Sequence, residues 1–262
     1  MSTEITRGVA RDAAAAGDRL FVQSLAKAIA LLEAFSGSPA PKSLSQLAER
    51  AGCDRSTAQR MAHTLIALGY LERTATGLVP GIRLVERACD YLRSNPFIER
   101  ATPIIIDLRR STTERVDFSV FDDLGMVFSI RQPSKRETFV ATVIGRRVPT
   151  FCSSGGRAVL AALPDARVDD IIRRSDRRQY TPGTKTTPAE IWKEVRKIRQ
   201  TGFAIAVEEL LPGEVSLGTA VTEQDLPVAA IHVAGSLSEW SVADFAAKIG
   251  PLAMEAARAL SR

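Results

Sequence analysis

Between Gly52 and Leu65 the sequence GCDRSTAQRMAHTL carries two interleaved helical stripes. Ala58, Met61, Ala62 and Leu65 recur at i, i+3, i+4, i+7, the spacing of a face turned to a core. Ser56, Gln59, Arg60 and His63 recur at the same spacing on the other side, with Arg55 just ahead of them. Upstream, SLSQLAERAG is a shorter helix that Ser43 and Gln46 open as a capping box and Gly52 closes. Asp54 is placed to cap the helix that follows. Two helices across so short a turn leave few ways to fold. Leu47, Ala51, Cys53, Ala58 and Met61 must share one small core, with Ala48 and Gly52 where the backbones approach and turn.

The flanking segments extend this unit. FVQSLAKAIALLEAF predicts an earlier helix with Leu25, Ile29, Leu32 and Phe35 on one face, and SGSPAP ends it because its prolines and glycine cannot continue the pattern. Gly69 stops the third helix, and YLERTATGLVP then gives two short strands around Thr76–Gly77, a hairpin. A hairpin beside the second helix of a helix-turn-helix is a wing. In that setting the outer face has a chemistry: Arg and Gln bond guanine and adenine edges bidentately, while Ser, Thr and Arg hold phosphates. The candidate DNA-binding residues are Arg55, Ser56, Thr57, Gln59, Arg60 and His63, with Arg73 and Thr74 on the wing. An ordinary solvated helix shows a similar polar face, so this stripe alone leaves the partner open.

Composition bounds the rest. The chain has 262 residues, 45% of them hydrophobic, enough for two domains with their own cores. Lys and Arg number 35 against 30 acids, a net charge of +5 that permits nucleic-acid binding without establishing it. Cys53, Cys89 and Cys152 are far apart and only two histidines occur, so no metal site and no cofactor is expected. Residues 1–20 lack periodicity and are expected to be a flexible tail. No apolar leader or membrane span is apparent, and a cytoplasmic protein without membrane contact is expected.

GIRLVERACDYLRS predicts a connecting helix over 82–94, and Asn95–Pro96 opens a second domain over 95–262, after the reader domain at 21–81. Helical FIERATPIIIDLRRSTTERV is followed by strands in VDFSVFDDLGMVFSIRQ and ETFVATV. Helices SSGGRAVLAAL, RVDDIIRRS and PAEIWKEVRKIRQTG come next, then strands FAIAVEE, VSLGTAVT and PVAAIHVAG, and a closing helix SVADFAAKIGPLAMEAARAL. Hairpin-linked strands with helices around them predict an α+β domain built on one antiparallel sheet.

QSLAKAIALLEAF, SLSQLAERAGCDRSTAQRMAHTLIALGYLER, RRVPTFCSSGGRAVLAALP and TGFAIAVEELLPGEVSLGTAV together resemble the IclR family of bacterial transcription regulators, over nearly the whole chain from Phe21 on. The resemblance implies a winged helix-turn-helix joined by a helix to a GAF-like effector domain. It also implies homodimers or dimers of dimers on double-stranded operator DNA, and a small-molecule effector. It points to Cys152, Ser153, Ser154 and Gly155 in the loop CSSGG, to Ser216 in VEELLPGEVSLG, and to His232 in IHVAG as effector-binding. A strand turning into a helix at Ser153–Ser154 offers hydroxyls and helix-start N–H groups, a seat for a carboxylate; alternatively Ser153 only caps that helix. Members that bind small keto-acids tend to carry a carboxylate near Ala206–Val207 and hydroxyls where His232 and Ala234 stand. RRVPTFCSSGGRAVLAALP is closer to the subgroup controlling aromatic-acid breakdown. A more apolar pocket with His232 as a polar handle suits an aromatic or longer carboxylate, although a strand histidine also serves as a plain core residue.

Catalysis is not expected. Neither CSSGG nor GEVSLG is Gly-x-Ser-x-Gly, since Ser216 follows Gly213 by three positions. A Ser-His-Asp triad would have to recruit His232 with Asp225 or Asp244. Glu208 and Glu209, read as strand residues, would face opposite sides and not act as a pair. The alternative to a regulator is a metabolite-binding or hydrolytic α/β domain whose N-terminal bundle makes protein contacts.

Overall fold

The computed structural model describes residues 18–36, 40–135 and 144–261. Most of the expected tail and the strand expected in ETFVATV lie outside these residues. The chain divides into two compact units between Tyr91 and Leu92, within the helix expected to connect the two parts.

The first unit holds α1 (Gln23–Glu33), α2 (Leu44–Ala51), α3 (Arg55–Ala67), the hairpin β1 (Leu71–Thr74) and β2 (Gly77–Pro80), and the start of α4 (Arg83–Ser94). Its local chemistry is the one anticipated. Ser43 accepts from the N–H of Gln46 while the Gln46 side chain accepts from the Ser43 N–H, closing the capping box. Gly52 ends α2 in the left-handed region, φ 67°, where a Cβ would be strained. Asp54 accepts from the Thr57 N–H at 2.8 Å and caps α3. Leu47, Ala51, Ala58, Ala62 and Leu65 are buried in one cluster, with Cys53 and Met61 packed against it.

The α1 face differs from expectation. Ala30, Leu31 and Ala34 enter the core with Phe35, whereas Leu25 is 61% and Ile29 42% exposed. Both stripes have helical spacing, and the position of α2 decides which one is covered. Arg50 reinforces that arrangement by donating to the carbonyls of Ala34 and Ser36 at the end of α1.

The second unit holds the rest of α4, then α5 (Pro96–Thr112), β3 (Arg115–Asp122), β4 (Gly125–Gln132), β5 (Arg147–Pro149), α6 (Ser154–Ala162), α7 (Asp165–Arg174), α8 (Pro188–Thr201), β6 (Ala204–Val207), β7 (Glu214–Glu223), β8 (Leu226–Ser236) and α9 (Val242–Leu260). The expected first helix is shorter: it stops at Thr112, where Thr113 turns left-handed and the chain enters β3. The strands form one antiparallel sheet in the order β5-β4-β3-β8-β7-β6. Helices α5 and α9 cover one face over the main core. Helices α6 and α8 lie against the other.

Alternation along the strands then sorts the side chains. In β8, Ala229, Ile231 and Val233 join the α5–α9 core, so His232 between them faces the α6 side. Register sets Gly218 and Asp117 opposite His232 on its two neighbours, and Ser216 faces the same way from β7. The helix α6 begins directly above. A Cβ on Gly155 would lie 2.3 Å from the His232 Nε2, and one on Gly218 would lie 2.2 Å from the Ser154 carbonyl carbon. Only glycine admits so close an approach.

Candidate functional site

The outer face of α3 is free of the core. Arg55, Ser56, Gln59, Arg60 and His63 are all exposed, as is Arg73 on the hairpin. Between α3 and the hairpin lies an open groove of about 1220 Å³, lined by Lys42, Ser56, Gln59, Arg60, His63 and Arg73 among others, with no acidic residue lining it. The sequence reading missed Lys42. Backbone bonds to Leu78 in both directions hold it to β2, and although the residue is largely buried it lines the groove.

Two predicted contacts have their protons committed elsewhere. The Thr57 hydroxyl donates to Asp54 at 2.6 Å, and the Thr74 hydroxyl donates to the Gly77 carbonyl at 2.9 Å.

In the second unit a cavity of about 480 Å³, counted with its open mouth, lies between the sheet and the start of α6. All the predicted effector residues except Gly155 line it, and Gly155 touches it through His232. Cys152 is buried, and burial pushes its thiol well above the usual range, so it serves as apolar wall. Ser153 caps α6: it donates to the Pro149 carbonyl at 2.7 Å and accepts from the Gly156 N–H at 3.2 Å. Ser154 meets Ser216 at 2.8 Å, hydroxyl to hydroxyl.

His232 sits at the centre of the polar set. Its Nδ1 accepts from the Gly155 N–H at 3.3 Å, so the proton belongs on Nε2, which bonds the Ser119 hydroxyl at 2.7 Å. Phe128 stands edge-on at 5.2 Å. Burial, with Arg115 nearby, pushes its pKa down to about 3, so the ring is neutral at physiological pH.

Charged side chains ring the cavity in pairs. Asp117 is buried, which pushes its carboxyl up; Arg115 at 2.9 Å and Arg131 at 3.4 Å pull it back. Arg115 also meets Glu214 at 2.8 Å. The reading of Glu208 and Glu209 as strand residues is corrected here. Strand β6 ends at Val207, and Glu208 turns left-handed at φ 52°. That turn sends Glu209 inward, where it pairs with the fully buried Arg157 through both terminal guanidinium nitrogens. Lys185 reaches the same carboxylate at 3.2 Å.

A winged helix-turn-helix with a cationic groove, followed by a domain built around a cavity, defines a ligand-responsive transcription regulator. Comparison with known proteins agrees. The model for the IclR helix-turn-helix domain matches residues 24–75, and that for the bacterial transcriptional regulator IclR C-terminal domain matches residues 89–262. The chain belongs to the IclR family and is a regulator rather than an enzyme. It is 26% identical over 248 residues to the Pca regulon regulatory protein of Pseudomonas putida, covering 93% of this chain and 84% of that one. The structure of a transcriptional regulator from Rhodococcus sp. RHA1 aligns with TM-score 0.78 at 28% identity, covering 92% and 97%. An IclR homolog from Microbacterium hydrocarbonoxydans, solved with 4-hydroxybenzoate, shares the fold with TM-score 0.75 at 21% identity, covering 91% and 97%.

Proposed function

We propose that this chain acts in the cytoplasm as a homodimer or dimer of dimers. Each dimer sets two α3 helices into successive major grooves of a pseudo-palindromic operator. The observation that carries the reading is the groove between α3 and the hairpin, cationic and free of carboxylates. Arg55, Gln59 and Arg60 are the base-reading candidates, while Ser56, His63, Arg73 and Lys42 hold the backbone. Self-association is supported by exposed apolar side chains in the first unit, Leu20, Val22, Leu25 and Ile29 near α1 and Ile82, Val85 and Tyr91 at α4.

The effector in this proposal is a small organic carboxylate, best an aromatic one. Phe128, Val148, Ala206 and Leu210 supply apolar walls around a few polar groups. The 4-hydroxybenzoate bound in the Microbacterium hydrocarbonoxydans homolog points the same way. Binding shifts the readers only insofar as the effector prefers one arrangement of the protein over another.

A mobility-shift series on DNA from beside the gene tests the DNA contact. Each neutralised phosphate releases counterions, so the logarithm of affinity falls linearly with that of salt concentration. Arg60→Ala should weaken operator binding by about 1–3 kcal/mol and relax base preference at one position of each half-site. Lys42→Ala should instead weaken all sequences alike and reduce the salt slope by about one phosphate contact. Absence of specific retention at low salt would sink the reading.

A further inference from the structure

We infer that Arg146 is the counter-ion for the effector's carboxylate, and that His232 occupies the place at the start of α6 where an anion would otherwise sit. The inference rests on the carboxylate-effector reading above and adds which end of the cavity takes the charge. A helix start attracts an anion because its first N–H groups lack partners. Here two of those groups are spoken for. The Gly155 N–H donates to the lone pair of His232 Nδ1, and the Gly156 N–H to the Ser153 hydroxyl. The imidazole seals the seat sterically as well, lying so close to Gly155 that a single methyl group would collide with it.

The charge count points to the other end. Asp117 and Glu214 are met by Arg115 and Arg131, Glu209 by Arg157, and Glu194 by Lys185 at 3.3 Å. Arg146 lines the same cavity, and no acceptor for its side chain occurs among the described residues. It is one cation in excess, half-buried, and a half-buried cation facing a cavity favours an anionic occupant. Its orientation follows from the strand. Backbone bonds of 3.0 and 2.7 Å tie Arg146 and Gly145 to Phe128. Alternation then sends Arg147 to Asp122 on the opposite side and leaves Arg146 to the cavity.

The two ends lie across the sheet. Phe128 is on β4 and Ser216 on β7, with β3 and β8 between them; in register Phe128 lies level with Ala220, so Ser216 is also displaced along the strand. Between them run the contacts of Ser216 with Ser154 at 2.8 Å, of Ser154 with His232 at 3.3 Å and of His232 with the Phe128 ring at 5.2 Å. The Ser154–Ser216 hydroxyl pair suits a neutral hydroxyl there, and Phe128, Val148 and Leu210 suit the ring. The ligand class is therefore a hydroxylated aromatic acid, its carboxylate on Arg146 and its hydroxyl beneath α6.

Calorimetric titration of the full chain with 4-hydroxybenzoate and with the neutral 4-hydroxybenzamide tests this. Arg146→Gln should weaken the acid by about 10- to 100-fold, the range of a charge-assisted hydrogen bond, and leave the amide unchanged; Arg146→Lys should recover part of the loss. If the acid binds Arg146→Gln as tightly as wild type, the inference falls while the effector reading stands. Equal loss of acid and amide would mark Arg146 as structural and overturn the inference too. If wild type binds neither compound, the aromatic-acid reading itself fails and the inference fails with it.

Discussion

Glu209→Ala should destabilise the effector domain by about 3–5 kcal/mol, because it leaves the Arg157 guanidinium charged where water does not reach. Arg157 is fully buried and its Nε is already committed to the Phe151 carbonyl, so it cannot swing out to solvent without uncovering the start of α6. For a unit of this size the loss corresponds to a fall in melting temperature of roughly 10 °C, read by calorimetry on the full chain. The pair also ties the CSSGG loop to the loop that begins at Glu208, and both line the cavity. Effector affinity should therefore drop together with stability. Removing both charges, Arg157→Met with Glu209→Leu, should recover much of the stability, since replacing a buried ion pair by packed apolar groups is often neutral or better. A shift below about 1 kcal/mol for Glu209→Ala would mean that the pair is solvated and does not hold the two loops together.

That ion pair was not legible in the sequence, and the reason is geometric. Its partners are 52 positions apart, and Glu209 turns inward only because Glu208 before it adopts a left-handed conformation that no local residue type demands. Features that depend on neighbours within a turn of helix were legible: the Ser43–Gln46 box, the Asp54 cap, the Gly52 stop and the two faces of α3 all follow from short spacings. The polar set under α6 was legible in part. Alternation alone puts Ser216 and Gly218 on one face of their strand. That Asp117, Ser119 and His232 share their side needs the pairing of β3, β8 and β7. In α1 the sequence offered two apolar stripes of equal spacing, and only the packing of α2 selects Leu31 over Leu25. Lys42 escaped notice because it lies in an irregular segment whose partner, Leu78, belongs to a strand 36 residues away.

His232 makes the second large prediction, a loss of stability in mild acid. The folded protein holds this imidazole neutral down to about pH 3, whereas in the unfolded chain it titrates near its ordinary value of about 6.5. Above pH 6.5 the ring is neutral in both states and contributes no slope. Below it the unfolded chain gains a proton that the folded one refuses, so stability falls as pH falls. The loss amounts to about 2 kcal/mol by pH 5 and roughly 4 kcal/mol by pH 3. The charged group beside the ring is Arg115, which opposes protonation; Asp117, across the strand pair, is engaged by Arg115 and Arg131; Ser119, Ser154, Gly155 and Phe128 surround the ring without charge. His232→Gln keeps an acceptor for the Gly155 N–H and a donor for Ser119 but cannot titrate, so its stability should be flatter between pH 6.5 and 5. His63 is present in both proteins, and their difference isolates the buried ring. Denaturant midpoints at pH 7, 6 and 5 for the two proteins decide the matter. Parallel declines would show that the imidazole takes up a proton inside the folded protein, and with it that the cavity beneath α6 is open to water.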